Sequence, residues 1–194
     1  SFLAMAIVLK ELGFLTTALH RVAWAALLLW LWVFWRRIPI PRGPRIWAAC
    51  LVMGLLNNAL PFSLIAWGQT TIESGLTAIL NAATAPFGAL AAALFLRDER
   101  LTGQRALGVG VGVGGVILAI GPGALAGLDL RDLAQLAVLG AAVAYALAGV
   151  WARVRLAGLA PEIAAAGMLT GSTLLMLPVA ILVEGPPRLA LSSQ

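Results

Sequence analysis

Six apolar segments, separated by short polar turns, occupy nearly the whole chain. They cover Leu15–Trp35, Ile46–Gly68, Ser74–Leu96, Leu101–Gly121, Leu133–Ala152 and Ile163–Val183, each between 20 and 23 residues long. An α-helix rises about 1.5 Å per residue, so roughly 20 residues cross the ~30 Å hydrocarbon layer of a bilayer. The pattern therefore predicts an all-α, polytopic helical membrane protein.

The loops between these segments alternate in basic content. One set of loops and helix ends holds nine arginines: Arg36, Arg37, Arg42, Arg45, Arg97, Arg100, Arg105, Arg153 and Arg155. The opposite set holds Lys10, Arg131 and Arg188, with Arg21 just inside a helix near that face. Because an excess of Lys and Arg marks cytoplasmic loops, the side with nine arginines is predicted to face the cytoplasm.

Composition agrees with a bilayer environment. Hydrophobic residues make up 61% of the chain and charged residues 11%, whereas soluble domains carry about 25% charged residues. The 13 Lys and Arg against 8 Asp and Glu are explained by topology, and no basic stripe interleaved with aromatics indicates nucleic-acid binding. Cys50 is the single cysteine, so an intrachain disulfide is excluded.

Hydropathy repeats with an offset of 145 residues, so that Lys10 aligns with Arg155, Gly13 with Gly158 and Thr16 with Pro161. Equivalent helices are five spans apart in chain order, with four other spans between them. Because five is odd, the second copy enters the membrane from the opposite side. Inverted repeats of this kind build secondary transporters, whose substrate sites lie near mid-membrane between the repeats.

Polar side chains within spans are costly, and they usually face a cavity or a neighbouring helix. Asn57 and Asn58 lie halfway along their span, and Asn81 and Thr84 share one face of the next; prolines at 61 and 86 predict kinks in both helices. Interhelical hydrogen bonding is an equally good explanation of the asparagines. Trp67 and Tyr145 add aromatic surface, and these six residues form the predicted substrate cavity.

Two further groups are predicted to have other roles. His20 and Arg21 lie near the outer end of their span and are interpreted as a gating or ion-pair site. Gly108, Gly110, Gly112 and Gly114 form overlapping small-xxx-small pairs, which predict close helix packing. A nucleotide loop is excluded because the glycines lie inside an apolar span.

The sequence does not predict an enzyme. His20 is the single histidine, which makes a metal site or an intramembrane serine protease improbable, and no motif calls for a cofactor.

Three stretches together resemble a known family. They are Ala78–Phe87 with its proline, the turn Leu96-Arg-Asp-Glu-Arg-Leu-Thr-Gly-Gln104, and the glycine-rich helix from Gly108 to Gly115. The chain is similar to EamA-type members of the drug/metabolite transporter superfamily. Arg21, following Gly13-Phe-Leu-Thr16, resembles the arginine near the start of that family's second helix, although Phe14 stands where proline is usual.

The resemblance implies ten helices in two inverted five-helix repeats. Residues 1–122 would form the first repeat with a truncated first helix, and residues 131–194 the start of the second, so that about seven of ten helices are present. It also implies a bacterial cytoplasmic membrane location and a small organic metabolite or drug-like solute as substrate.

The function predicted from these features is a permease that works by alternating access, with export favoured. The alternative is a structural or assembly subunit of the membrane without transport activity. The expected partners are a small-molecule substrate and the lipid bilayer; a homodimer is left open, and no nucleic acid or cofactor is expected.

The arginine-based topology can be tested with single cysteines at Pro39 and Gly127. A membrane-impermeant thiol reagent added to intact cells should label position 127 and miss position 39, because the two loops are predicted to lie on opposite sides. The reverse pattern would show that the orientation is inverted.

Overall fold

The computed structural model describes residues 14–96, 98, 102–120, 123, 126, 128–129 and 132–185. All regular structure in these residues is helical. The helices are α1 (Phe14–Trp35), α2 (Pro44–Gly54), a π-helical turn (Leu55–Ala59), α3 (Leu60–Gly68), α4 (Ser74–Ala82), α5 (Thr84–Phe95), α6 (Gly103–Ile120), α7 (Leu133–Arg155) and α8 (Pro161–Glu184).

The predicted fold class is confirmed: the protein is a polytopic helical membrane protein. Five continuous or nearly continuous helical segments are long and apolar enough to cross a bilayer, and they begin and end within three residues of the predicted segments. The remaining predicted segment, Leu101–Gly121, corresponds to α6, which is shorter. Two of the five segments are interrupted partway. Pro44–Gly68 contains the π turn, and Ser74–Phe95 is interrupted at Ala83.

Helix α7 lies among the helices that precede it. It packs against α3, α4 and α5, with a smaller contact to α2. One contact cluster joins Leu76 and Leu80 of α4 to Val138 of α7, and another joins Ile65 and Ala66 of α3 to Ala141. The helices assigned from sequence to the start of the second repeat therefore pack directly on those of the first.

Helices α1 and α8 pack antiparallel along their length. Near the start of α1, Leu15, Ala18 and Leu19 contact Met176 and Ala180 near the end of α8. At the opposite ends, Val33 of α1 contacts Ile163 and Ala166 of α8.

The Glu184 carboxylate closes this pair at one end. Its two oxygens accept hydrogen bonds from the backbone N–H groups of Leu15 at 2.9 Å and Thr16 at 2.8 Å. The first N–H groups of a helix have no partner within it, and the helix dipole favours an anion there. Glu184 thus caps the start of α1 from the end of α8.

Three glycines allow α8 to approach α2 closely. A Cβ at Gly171 would lie 2.9 Å from Leu51 Cα, and one at Gly54 would lie 2.7 Å from the Ser172 backbone nitrogen. At Gly167 the added atom would meet Cys50 Sγ at 2.7 Å. At Gly54 and Gly171 backbone atoms occupy the space that a side chain needs, so this contact requires small residues.

The glycines singled out from sequence behave differently. A Cβ at Gly108, Gly110, Gly112 or Gly114 would meet no atom within 4 Å among the described residues. Among the described residues, helix α6 packs mainly on α4 and α5, and its glycine face is largely open. The helix packing expected of these glycines is therefore not made within the described chain, where Gly167 and Gly171 have that role instead.

Two matched glycine-to-alanine changes separate these faces. Gly171→Ala should destabilise the fold by about 1–3 kcal/mol, because the methyl group overlaps the α2 backbone. Gly112→Ala should leave stability unchanged or raise it by up to about 1 kcal/mol through helix propensity. Thermal unfolding of both variants in detergent checks this. Equal losses would indicate that α6 packs on a surface outside the described residues.

Candidate functional site

Proline explains both helix interruptions. Pro61 has no N–H to donate to the carbonyl of Asn57, and the chain responds with a π turn in which the Leu60 N–H bonds to the Leu55 carbonyl. Pro86 likewise cannot donate to Ala82, and the helix breaks at Ala83, whose N–H bonds to Leu80 at 3.1 Å. Each interruption coincides with two of the polar residues predicted to line a cavity.

At the π turn, both asparagines point toward α8. Asn58 Nδ2 donates to Ser172 Oγ at 3.0 Å, and both side chains are buried. The half-buried Asn57 contacts the sulfur of Met168 through its Nδ2 at 3.3 Å. In this structure Asn58 joins two helices, as the packing alternative for the asparagines expects.

Ser172 is the centre of that contact. Besides accepting from Asn58, its hydroxyl lies 3.0 Å from the Gly54 carbonyl oxygen and 2.9 Å from the Met168 carbonyl oxygen. A hydroxyl carries one proton, so it donates to one of these carbonyls at a time. The contact links the start of the π turn, its interior and α8.

At the second interruption, the break at Ala83, not every polar group has a hydrogen-bond partner among the described residues. Thr84 Oγ1 donates to the Asn81 backbone carbonyl at 2.7 Å, which closes the break locally. Asn81 Oδ1 is buried and has no hydrogen-bond partner among the described residues. An unpaired buried acceptor costs about 1–3 kcal/mol, so Asn81 Oδ1 calls for a donor that the described residues do not supply.

The two aromatic residues of the predicted cavity, Tyr145 and Trp67, differ in burial. Tyr145 is half-buried and packs against the cluster formed by Ile65 and Ala66 of α3 and Ala141 of α7. Trp67, at the end of α3, is 41% exposed. The structure therefore brings Tyr145 into the bundle and leaves Trp67 at its surface.

The two residues interpreted as a gating or ion-pair site, His20 and Arg21, also have different environments. His20 Nδ1 is buried without a hydrogen-bond partner among the described residues. Arg21 is exposed, and its guanidinium lies over the ring of Phe62 at 4.8 Å from the ring centre. Arg21 therefore joins α1 to α3.

A groove of about 390 Å³ opens at the arginine-rich end of the bundle. Its walls come from the π turn, α5 and α7, and include Leu56, Phe95, Leu147, Trp151 and Arg155. The Trp151 indole N–H donates to the Ala49 carbonyl at 3.0 Å, and Arg155 lies over the Trp151 ring. None of the six predicted cavity residues lines this groove.

Four residues that organise the site were not identified from the sequence. Ser172 sits in an apolar helix, and a serine there usually bonds to its own preceding turn, so its partner on the π turn has no sequence signal. Phe62 has no sequence signal, because its role depends on Arg21 lying over its ring. Gly167 and Gly171 do carry a signal, since Gly-Met-Leu-Thr-Gly is a small-xxx-small motif.

The EamA-like transporter family matches residues 1–121, which is more than half of the chain. No curated protein and no solved structure matches the chain.

Two serine-to-alanine changes test the role assigned to Ser172. Ser172→Ala removes the acceptor of buried Asn58 and should lower the free energy of unfolding by about 1–3 kcal/mol. The control is Ser63→Ala, because the Ser63 hydroxyl donates to the Ala59 carbonyl one turn earlier in the same span; its effect should stay within about 0.5 kcal/mol. Thermal unfolding in detergent measures both. Equal free energies of unfolding for the two variants would show that the Ser172 hydroxyl does not stabilise the contact between the π turn and α8.

Proposed function

Because the chain belongs to the EamA-like transporter family, we propose that it forms part of a permease for a small organic metabolite or drug-like solute. The permease works outward across the bacterial cytoplasmic membrane by alternating access. The observation that carries this proposal is Asn81 Oδ1, a buried acceptor at a helix break that lacks a partner among the described residues. Within a bilayer, irregular backbone and unpaired polar groups are tolerated where they line a cavity.

The proposed cavity uses the predicted residues unequally. Asn81 binds a donor group of the solute, and Thr84 satisfies the Asn81 backbone carbonyl at the break. Tyr145 supplies an aromatic wall from α7, and Asn57 and Trp67 lie at the margins. Asn58 keeps the π turn attached to α8. His20 and Arg21 lie toward the outer end, where a gate is needed.

Alternating access needs one part of the bundle to stay rigid while another moves. The contact of α2 with α8 is suited to the rigid part, because backbone meets backbone at Gly54 and Gly171. The break at Ala83 is suited to bending, since the hydrogen-bond ladder is interrupted there. The groove between Leu56 and Trp151 supports an opening toward the arginine-rich side.

The antiparallel packing of α1 on α8 supports the proposed inverted repeats. These helices are equivalent under the 145-residue offset, and a two-fold axis in the membrane plane relates equivalent helices in opposite directions. Residues 1–122 belong to the first repeat, and residues 131–194 belong to the start of the second.

A structural subunit is the second candidate, and the open glycine face of α6 favours it. Such a face suits close packing on another helix, including α6 of a second copy.

Two asparagine-to-leucine changes in the full-length protein discriminate between these functions. The spent medium of expressing cells is profiled by mass spectrometry to find solutes whose efflux depends on the protein, and rates are normalised to folded protein. Asn81→Leu should lower efflux per folded molecule about tenfold, because a hydrogen bond to the solute is lost. Asn58→Leu should lower folded yield instead, because its bond to Ser172 is structural.

Tyr145→Ala should follow Asn81→Leu if Tyr145 lines the path. Reduced yield with unchanged efflux per folded molecule in Asn81→Leu would assign Asn81 to packing. If no solute depends on the wild-type protein, the structural-subunit function is the better account.

A further inference from the structure

The groove at the arginine-rich end runs along the bundle for about the depth of one bilayer leaflet. Arg155, the last residue of α7, lines its polar end, and Leu147 lines it eight residues earlier, about 12 Å along the helix. Leu56, on the π turn, is halfway along its own span of Pro44–Gly68. The groove therefore reaches from the end of the bundle to about mid-membrane. Half of the ~30 Å hydrocarbon layer is about 15 Å, which is close to this length.

The walls of the groove are apolar and belong to the surface of the described bundle. Phe95 of α5 is 62% exposed, and Val154 of α7 is 57% exposed. On a helix that spans a bilayer, exposed apolar side chains are covered by the hydrocarbon of the lipid. The groove is thus a concave part of a surface that suits an acyl chain.

A tryptophan and an arginine form the polar end of the groove. The Trp151 indole N–H donates to the Ala49 carbonyl oxygen at 3.0 Å, which fixes the orientation of the ring. The Arg155 guanidinium lies over this ring, 5.5 Å from its centre. A guanidinium whose face rests on a ring directs the N–H donors of its edge elsewhere. Arg155 is therefore oriented to bind an oxyanion at the end of the groove.

No carboxylate of the described chain balances the charge of Arg155. Two acidic residues are described near this end of the bundle. The Asp98 carboxylate already bonds to Arg153 Nη2 at 2.8 Å. Glu162, at the start of α8, forms no ion pair with Arg155. The polar end of the groove therefore carries a positive charge that an anion would complement.

We propose that this groove binds one anionic phospholipid of the bilayer. Arg155 holds the phosphate through two parallel N–H···O bonds, and one acyl chain lies against Leu56, Leu147 and Val150. Trp151 lies beside the glycerol region, since tryptophan is suited to the boundary between headgroups and hydrocarbon. Charge and hydrocarbon are then both matched by a single ligand that the membrane itself supplies.

The headgroup is expected to carry one net negative charge. Arg155 offers one cation, whereas a phosphatidylcholine headgroup brings an ammonium group that already balances its phosphate. Basic pockets between transmembrane helices bind anionic headgroups for this reason. One arginine near the membrane surface favours an anionic over a zwitterionic lipid about fivefold.

Native mass spectrometry of the full-length protein measures this preference. The protein in detergent is titrated with palmitoyl-oleoyl phosphatidylglycerol or phosphatidylcholine, which share their acyl chains and differ in net charge. The first phosphatidylglycerol should bind about fivefold more tightly than the first phosphatidylcholine. Glycerol phosphate, which has no acyl chain, should bind more than about tenfold more weakly than phosphatidylglycerol.

Three outcomes of the titration overturn the inference. Equal affinities for the two lipids would show that charge is not recognised. Glycerol phosphate that binds as tightly as phosphatidylglycerol would indicate a site for a free phosphate compound. The absence of bound lipid would show that another protein segment or partner covers the groove.

Variants of the full-length protein locate the headgroup and the chain. Arg155→Gln should remove the preference for phosphatidylglycerol, and Arg155→Lys should keep part of it, since an ammonium retains charge without the paired geometry. Arg36→Gln is the matched control, because Arg36 also lies 5.5 Å from the centre of a tryptophan ring, that of Trp32, but does not line the groove. Leu147→Trp, which fills the groove, should weaken binding of both lipids.

Thermal unfolding establishes which variants are folded. The assignment is wrong if folded Arg155→Gln keeps the preference or if Arg36→Gln loses it equally. It is also wrong if folded Leu147→Trp binds both lipids as tightly as the wild-type protein.

A phosphatidylglycerol with a photoreactive group in its acyl chain locates the chain without any substitution. After illumination in nanodiscs, adducts are expected on the π turn and on α7 between Leu147 and Val154. Adducts confined to other helices contradict the site.

These results are independent of the efflux assay. Selective lipid binding without efflux contradicts the proposed permease alone, and efflux without selective lipid binding contradicts this inference alone. If the solute also passes through this groove, lipid and solute occupy it in turn.

Discussion

The hydroxyl of Ser172 is the interaction on which the rest of the bundle depends. It accepts from Asn58 and faces the carbonyls of Gly54 and Met168, all within 3.0 Å. In an apolar interior these groups have no water to bond to, so the π turn and α8 satisfy each other. The adjacent glycines let the two backbones approach closely enough for this to happen. With α8 fixed in this way, α1 is fixed as well, because α8 carries its cap at Glu184.

The two interrupted spans differ in whether their asparagines find hydrogen-bond partners, and this difference separates a structural role from a binding role. In both, a proline follows an asparagine within five residues, so a similar sequence feature has two outcomes. At the π turn, Asn58 finds Ser172 and is buried. At Ala83, Asn81 keeps an acceptor that no described residue satisfies. A polar group of the first kind stabilises a fold, and one of the second kind suits a site that a solute completes.

The sequence predicted the spans well because span length and continuity are set by bilayer thickness, a property that needs no knowledge of neighbours. The prolines predicted where helices would deform, although not that one would form a π turn and the other a break. Which residues meet across two helices was predicted less well. The glycines of α6 and those of α8 have the same spacing, yet only Gly167 and Gly171 meet a partner in the described chain. The placement of Arg21 over Phe62 likewise follows from how α1 meets α3, which no local pattern encodes.

Hydrogen–deuterium exchange with and without a solute identified by efflux tests the central claim most directly, that one interruption is structural and the other binds. The account predicts that solute protects the backbone around Asn81–Thr84 and leaves the α8 segment from Gly167 to Ser172 unchanged, because the latter is already satisfied. Protection of the α8 segment with no change around Asn81 would contradict it.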